Sequence, residues 1–333
     1  MGAPLWRKCV AEAIGTYLIV LFGTGSVACA VSTGALQGLW QVASVWGFGV
    51  SLAIYASAGV SGAHLNPAVS FALAIMRPND FPWRNLAPYA VAQLAGAMLG
   101  SACVYATWHN PLSRKELNAF PQIERGTDAS VITARAFGEN FPEPGAGLGE
   151  DIGPLGAVGI EAFGTGILMF MILALTDARN PARPPAGLAP FFIGFTVACL
   201  ISIFAPLTQA GWNPARDFGP RVIAIMAGWG SVAIPGPRQG FWAYIVGPLV
   251  GAPIGALLYD ILIRPGLPSE EAETWTAPPS GMWSVDQALL QRVVKEACDA
   301  CCPDGCPPRN RAESNSMLPD AVKVGVCQSS CDA

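Results

Sequence analysis

The stretches "SGAHLNPAVS" (Ser61–Ser70) and "QAGWNPARDFGP" (Gln209–Pro220) both contain Asn-Pro-Ala, 147 residues apart (213 − 66). Asparagine is a good helix N-cap, and proline is favoured at the first helical position, where its missing N–H costs nothing. Each copy therefore reads as a helix start. Asn66 caps a helix opened by Pro67 and Ala68, and Asn213 caps one opened by Pro214 and Ala215. The apolar pieces that follow, 67–76 and 214–227, are short. Ten residues of helix reach about 15 Å, half the hydrocarbon core of a bilayer. These pieces are too short to span and too apolar to be ordinary loops. A single copy would read as a plain turn; two copies, each opening a half-length apolar helix, do not.

A helix N-terminus carries roughly half a positive charge. Two such ends meeting inside a membrane repel cations. The irregular backbone before each motif includes Gly62, Ala63, His64 and Leu65 in one copy and Gln209, Ala210 and Gly211 in the other. Irregular backbone at membrane depth is tolerated only against protein or a water-filled cavity. Its carbonyls can line a path, and the asparagine amides can donate at the centre. A polar solute could exchange hydration for protein hydrogen bonds along such a path. Arg216, on the first turn of the second half-helix, is expected to project toward one mouth, donating hydrogen bonds to hydroxyls and excluding cations. Pairing with the adjacent Asp217 is the structural alternative, and the two are compatible, since such a pair would orient the side chain. His64 reads equally as pore lining or as a brace for its loop. Glu12 and Glu161 are intramembrane carboxylates, which need a reason to be there. Either they carry protons or ions, or they accept backbone N–H bonds from the re-entrant loops. The second reading is preferred, because the chain supplies too few ionisable groups near the midplane for coupled transport.

The elements that must position these residues are apolar segments. Of 333 residues, 52% are hydrophobic and 13% charged, against about 25% charged in a soluble domain. The net charge of −4 and the lack of a basic patch speak against nucleic acid. Six spanning segments are expected, at about 9–31, 39–60, 85–107, 154–176, 187–206 and 240–263. The first is too long for a signal peptide and carries Glu12 near its start. Trp6 stands where a myristoylation signal needs Ser or Thr. "EAIGTYLIVLFGTG" from Glu12 recurs as "EAFGTGILMFMILA" from Glu161, and "YAVAQLAGAMLG" from Tyr89 as "YIVGPLVGAPIG" from Tyr244. With the Asn-Pro-Ala pair, three landmarks recur in one order, so the chain is two homologous halves. Three spans per half force the repeats to be inverted. The expected organisation is a channel domain over 1–263, with repeat one at about 9–107, an external loop at 108–153 and repeat two at about 154–263. A polar, Cys-rich tail follows over 264–333, disordered apart from a short helix near 284–297. Arg7, Lys8, Arg77, Arg84, Arg179 and Arg183 fall on one side, which the positive-inside rule makes cytoplasmic, together with both termini. "GAMLG" (Gly96–Gly100) and "GAPIG" (Gly251–Gly255) are small-residue patterns that let helices approach closely. Trp40, Trp83, Trp108 and Trp242 are expected near span ends, with Trp108 ending the third span.

With its "SGAHLNPAV", "NPARDFGP", paired Glu12 and Glu161 and two-times-three organisation, the chain resembles the aquaporin, or major intrinsic protein, family over about 9–263. The resemblance implies an all-α membrane protein of six transmembrane helices plus two re-entrant half-helices, with a pore in each protomer and usually a homotetramer in the lipid bilayer. The aspartate after "NPAR" is similar to the glycerol-conducting branch, where water-selective members usually have serine. In the family four positions form the narrow selectivity filter; matching around the motifs places them on Trp46, Ile201, Ala210 and Arg216. Ile201 stands where water-selective members place histidine, leaving an apolar wall opposite Arg216. Such a slot suits a polyol, with its carbons on Trp46 and Ile201 and its hydroxyls on Arg216. Bacterial glycerol facilitators carry Gly and Phe where Ile201 and Ala210 are read. The combination is closer to the Trp-Val-Ala-Arg filter of plant nodulin-like intrinsic proteins, which pass water, glycerol and small amides.

The expected function is a passive channel for glycerol and other small uncharged solutes, with some water. The alternatives are a gradient-coupled secondary transporter, since inverted repeats and broken helices occur there too, and a mainly water-conducting aquaporin. No nucleophile, base and acid come together in sequence to suggest an enzyme, and no cofactor is expected. Six cysteines crowd the tail, at Cys298, Cys301, Cys302, Cys306, Cys327 and Cys331. Zinc is the sharp reading of their spacing, but the second Cys or His pair is missing, and palmitoylation or no role is preferred; no metal site is expected.

Overall fold

The structure is a computed structural model that describes residues 2–148 and 151–268. All described residues fall in one compact unit, which runs to residue 273. The tail cysteines and the helix expected at 284–297 lie outside the described residues. Nine α-helices occur among those residues, and no strand: α1 Leu5–Thr33, α2 Leu39–Ser61, α3 Pro67–Met76, α4 Leu86–Leu117, α5 Val131–Ala134, α6 Pro154–Thr176, α7 Ala189–Thr208, α8 Pro214–Ala224 and α9 Ala243–Leu262. Six of them, α1, α2, α4, α6, α7 and α9, are long and apolar enough to cross a membrane. The half-helices α3 and α8 start at the two prolines, as their capping chemistry requires.

Two differences from the expected spans have physical causes. Helix α4 runs ten residues past 107, through Trp108 and Pro111, to Leu117. Its last turns are polar, and buried Glu116 there accepts from Arg125 Nε at 2.8 Å and from Thr133 Oγ1 at 2.7 Å. Trp108 is therefore not the end of the helix. It packs half-buried on a cluster containing Phe137 and Trp229. Helix α8 gives way at Ile225 to a π-turn through Trp229, ended by Gly228 at φ 100°, where the apolar pattern alone suggested α-helix to 227.

The inverted repeat is visible in the packing. A Cβ on Gly96 would lie 2.0 Å from the carbonyl oxygen of Ala13, and one on Gly100 2.7 Å from that of Tyr17. The counterparts Gly251 and Gly255 would each bring a Cβ to 2.0 Å from the carbonyl oxygens of Ala162 and Gly166. Helix pairs α1/α4 and α6/α9 thus touch backbone to backbone through the same small residues in both halves. These contacts are internal to the chain.

Candidate functional site

The two Asn-Pro-Ala loops share one backbone path. Helix α2 ends at Gly62 with φ 87°, and α7 ends at Gln209 with φ 57°. Ala63 and Leu65 then sit at φ 52°, and Ala210 and Trp212 at 64° and 50°. The left-handed region costs an L-residue roughly 1–2 kcal/mol, so something must hold these loops.

The two buried carboxylates do so. Glu12 accepts from Ser61 Oγ at 2.6 Å, His64 N at 3.0 Å and Leu65 N at 2.7 Å. Glu161 accepts from Thr208 Oγ1 at 2.6 Å, Gly211 N at 3.1 Å and Trp212 N at 2.7 Å. Tyr89 and Tyr244 donate to the carbonyls of Ser61 and Thr208. One partner breaks the symmetry: Gln93 Nε2 donates to Glu12 at 2.7 Å, whereas Pro248 occupies the corresponding place. Both carboxylates are fully buried.

At the centre, Asn66 Oδ1 accepts from Ala68 N at 2.8 Å, and Asn213 Oδ1 accepts from Ala215 N and Arg216 N at 3.1 and 3.2 Å. These are the expected caps. Each amide also crosses to the other loop: Asn66 Nδ2 donates to Trp212 O at 2.9 Å, and Asn213 Nδ2 to Leu65 O at 2.7 Å. An NH2 group has two protons, so each asparagine keeps one donor beyond this cross-link.

Both loops open on a cavity of about 390 Å³. Thr176, Ala186 and Ala189 line it, as do Asn66 and Asn213, and Trp46, Ile201, Ala210 and Arg216 line it together. Its wall is mostly aliphatic, with Ile19, Val50, Ile54, Leu168, Ile193 and Val197 contributing. Gly62, Ala63, His64, Leu65 and Gly211 also line it, but Gln209 and Asp217 do not. His64 both faces the cavity and braces its loop, with Nδ1 3.1 Å from Ser70 Oγ and the ring packed on Phe81 and Tyr89. Gln209 Oε1 instead accepts from Asn140 N at 2.8 Å.

Arg216 is buried, with its guanidinium carbon 4.0 Å above the Trp46 ring and Nη2 3.3 Å from Ala210 O. Its ion-pair partner is not Asp217 but Glu139. Asp217 is turned away from the cavity, accepting from Arg221 Nε at 2.7 Å and from Glu139 N at 2.8 Å. Arg221 also donates to Glu139 O and Ala233 O. Two arginines and two carboxylates thus form one neutral buried cluster, in which Asp217 and Arg221 hold the backbone that carries Glu139 to Arg216. Sequence reading missed Glu139 and Arg221. Arg221, at i+4 from Asp217 on a helix, was the available signal; Glu139 gave none. Nearby, burial pushes the Glu143 carboxyl up, against the pull of Arg135 2.6 Å away.

An inverted pair of three-helix halves, with two capped half-helices abutting beside a cavity, is a membrane-channel architecture. The chain belongs to the major intrinsic protein family, whose model matches residues 2–259. It is 42% identical over 276 residues to the glycerol uptake facilitator protein of Pseudomonas aeruginosa, covering 82% of this chain and 95% of that one. It is 42% identical over 281 residues to that of Escherichia coli K12, covering 82% and 96%. A propanediol uptake facilitator of Citrobacter freundii is 41% identical over 270 residues, covering 80% and 96%. Among solved structures, the X-ray structure of the aquaglyceroporin from Plasmodium falciparum superposes with a TM-score of 0.67 at 29% identity, covering 79% of this chain and 98% of that one.

Proposed function

We propose that this chain is a passive channel for glycerol and other small uncharged solutes, with some water permeation, and not an enzyme. The observation that carries the reading is the cavity beside the two cross-linked Asn-Pro-Ala loops, aliphatic along most of its wall and polar at Asn66, Asn213 and Arg216. A polyol slides with its carbons on the aliphatic side and trades hydrogen bonds along the polar one. The named relatives, glycerol and propanediol facilitators, support the same solute class. Trp46, Ile201, Ala210 and Arg216 form the selectivity filter. Isoleucine at position 201 favours polyols over a water-selective pore. Two helix N-termini disfavour cations. The carrier alternative is weakened because Glu12 and Glu161 do not line the cavity and each already accepts three or four hydrogen bonds. Glu12 and Glu161 serve as structural acceptors.

In this reading the channel domain ends near 263, both termini are cytoplasmic and the working form is a homotetramer in the bilayer, with one pore per protomer. Stopped-flow light scattering on proteoliposomes tests the function. The reading requires fast downhill entry of glycerol, slower entry of larger polyols, and no response to sodium or proton gradients. Glycerol entry no faster than in protein-free vesicles would overturn it.

A further inference from the structure

Gly23 lies on α1 directly against the indole of Trp46. A Cβ at Gly23 would fall 2.1, 2.2 and 2.3 Å from ring atoms Cζ3, Cε3 and Cη2. Arg216 lies over the same ring, its guanidinium carbon 4.0 Å from the centroid. Retreat of α2 from α1 is opposed by α7, against which α2 packs backbone to backbone at the residue after Trp46. A Cβ on Gly47 would meet Gly194 O at 2.6 Å, and one on Gly49 would meet Phe22 Cβ at 2.8 Å. The ring itself must therefore yield, and away from α1 means toward Arg216. Carbon contacts settle at about 3.5 Å, so a methyl at position 23 displaces the ring by about 1.4 Å (3.5 − 2.1).

Helix packing in the repeat does not by itself demand this glycine. Glu12, Gly15 and Gly23 correspond to Glu161, Gly164 and Ile172. Gly15 and Gly164 are shared, and they seat Leu65 and Trp212, the residues before the two asparagines. At position 23 the second half carries an isoleucine that lines the cavity. The glycine belongs to the half whose ring it seats.

We propose that Gly23 is a specificity-determining positioning residue: its missing side chain is the seat of the Trp46 indole and sets how far that ring, with the Arg216 guanidinium stacked on it, reaches into the constriction. This rests on the filter reading above. The test compares G23A, W46F and G23A/W46F with the parent in proteoliposomes, measuring water, glycerol and a larger polyol and normalising to folded protein. Cζ3 and Cη2, two of the three ring atoms that the methyl would strike, lie beyond the reach of a phenylalanine ring. G23A is expected to lower glycerol permeability about tenfold and water permeability less, as overpacking at a constriction would. G23A/W46F is expected to match W46F. An unchanged glycerol-to-water ratio in G23A, or no rescue in the double variant, overturns the proposal. If G23A does not fold, a double variant that folds and conducts like W46F sustains the proposal, and one that does not overturns it. If W46F itself leaves solute ranking unchanged, the filter assignment fails and takes this proposal with it. A shift in W46F without one in G23A removes the Gly23 seat alone.

Discussion

Replacing Glu161 with glutamine tests whether the buried carboxylates are fixed acceptors. The amide keeps shape and volume but loses the charge and turns one oxygen into a donor. In its better orientation it still accepts from Thr208 and Gly211, whose donors share Oε1. Bonds to a charged acceptor contribute about 1.5–3 kcal/mol and neutral ones about 0.5–1.5, so these two lose about 1 kcal/mol each. The new NH2 faces the Trp212 N–H, which sat 2.7 Å from Oε2. Leaving a buried donor unmade adds about 2 kcal/mol. The sum is about 4 kcal/mol, which lowers Tm by about 10 °C in a chain of this size. Function should fall too, because Trp212 O is the acceptor for Asn66. Glu12→Gln supplies an internal comparison. Gln93 Oε1 is buried without a hydrogen-bond partner, and by flipping its amide Gln93 can accept from the new NH2. Its cost should be lower by about 1 kcal/mol. The assay is thermal unfolding in detergent alongside glycerol flux in vesicles. A Glu161→Gln Tm within about 2 °C of the parent would refute the acceptor reasoning. So would glycerol accumulation driven by a proton gradient in the parent and lost in the variant, which would make the carboxylate a coupling group.

Ile201→His should lower the glycerol-to-water permeability ratio, about tenfold if the added ring costs glycerol 1.4 kcal/mol at the constriction; an unchanged ratio would place the filter elsewhere. Glu139→Gln leaves buried Arg216 without its partner and should cost about 3–5 kcal/mol, read as a Tm loss. Arg216→Ala in that background should restore part of it, and a purely additive double variant would deny the pair. Gly251→Ala drives a methyl to 2.0 Å from Ala162 O and should destabilise by about 3 kcal/mol; unfolding at the parent temperature would contradict the backbone contact of α6 with α9.

The half-helix starts were legible because an N-cap and a proline at the first position are local rules, and each motif satisfied both. The repeat was legible because equal chemistry at equal offset survives in one chain. The same offset later appears in the φ values and in the bonds to Glu12 and Glu161. Less was legible where meaning is tertiary. Glu139 lies in a stretch without apolar period, and only folding carries it to Arg216, so the adjacent Asp217 looked like the natural partner. Helix α4 ran past the apolar window because its last turns are held by Glu116 and Arg125 rather than by hydrocarbon. The crossing of Asn66 to Trp212 O and of Asn213 to Leu65 O could not be inferred from caps alone. It means that half of each amide's donor capacity serves the loop junction and half is left for a solute.

Glycerol entry into proteoliposomes under clamped gradients tests the central claim most directly. Light scattering gives the rate, and radiolabelled glycerol gives the final internal concentration, with sodium and proton gradients imposed or collapsed. The account predicts rapid entry that stops at the external concentration and is indifferent to either gradient. Accumulation above the external concentration that collapses with a gradient would contradict it.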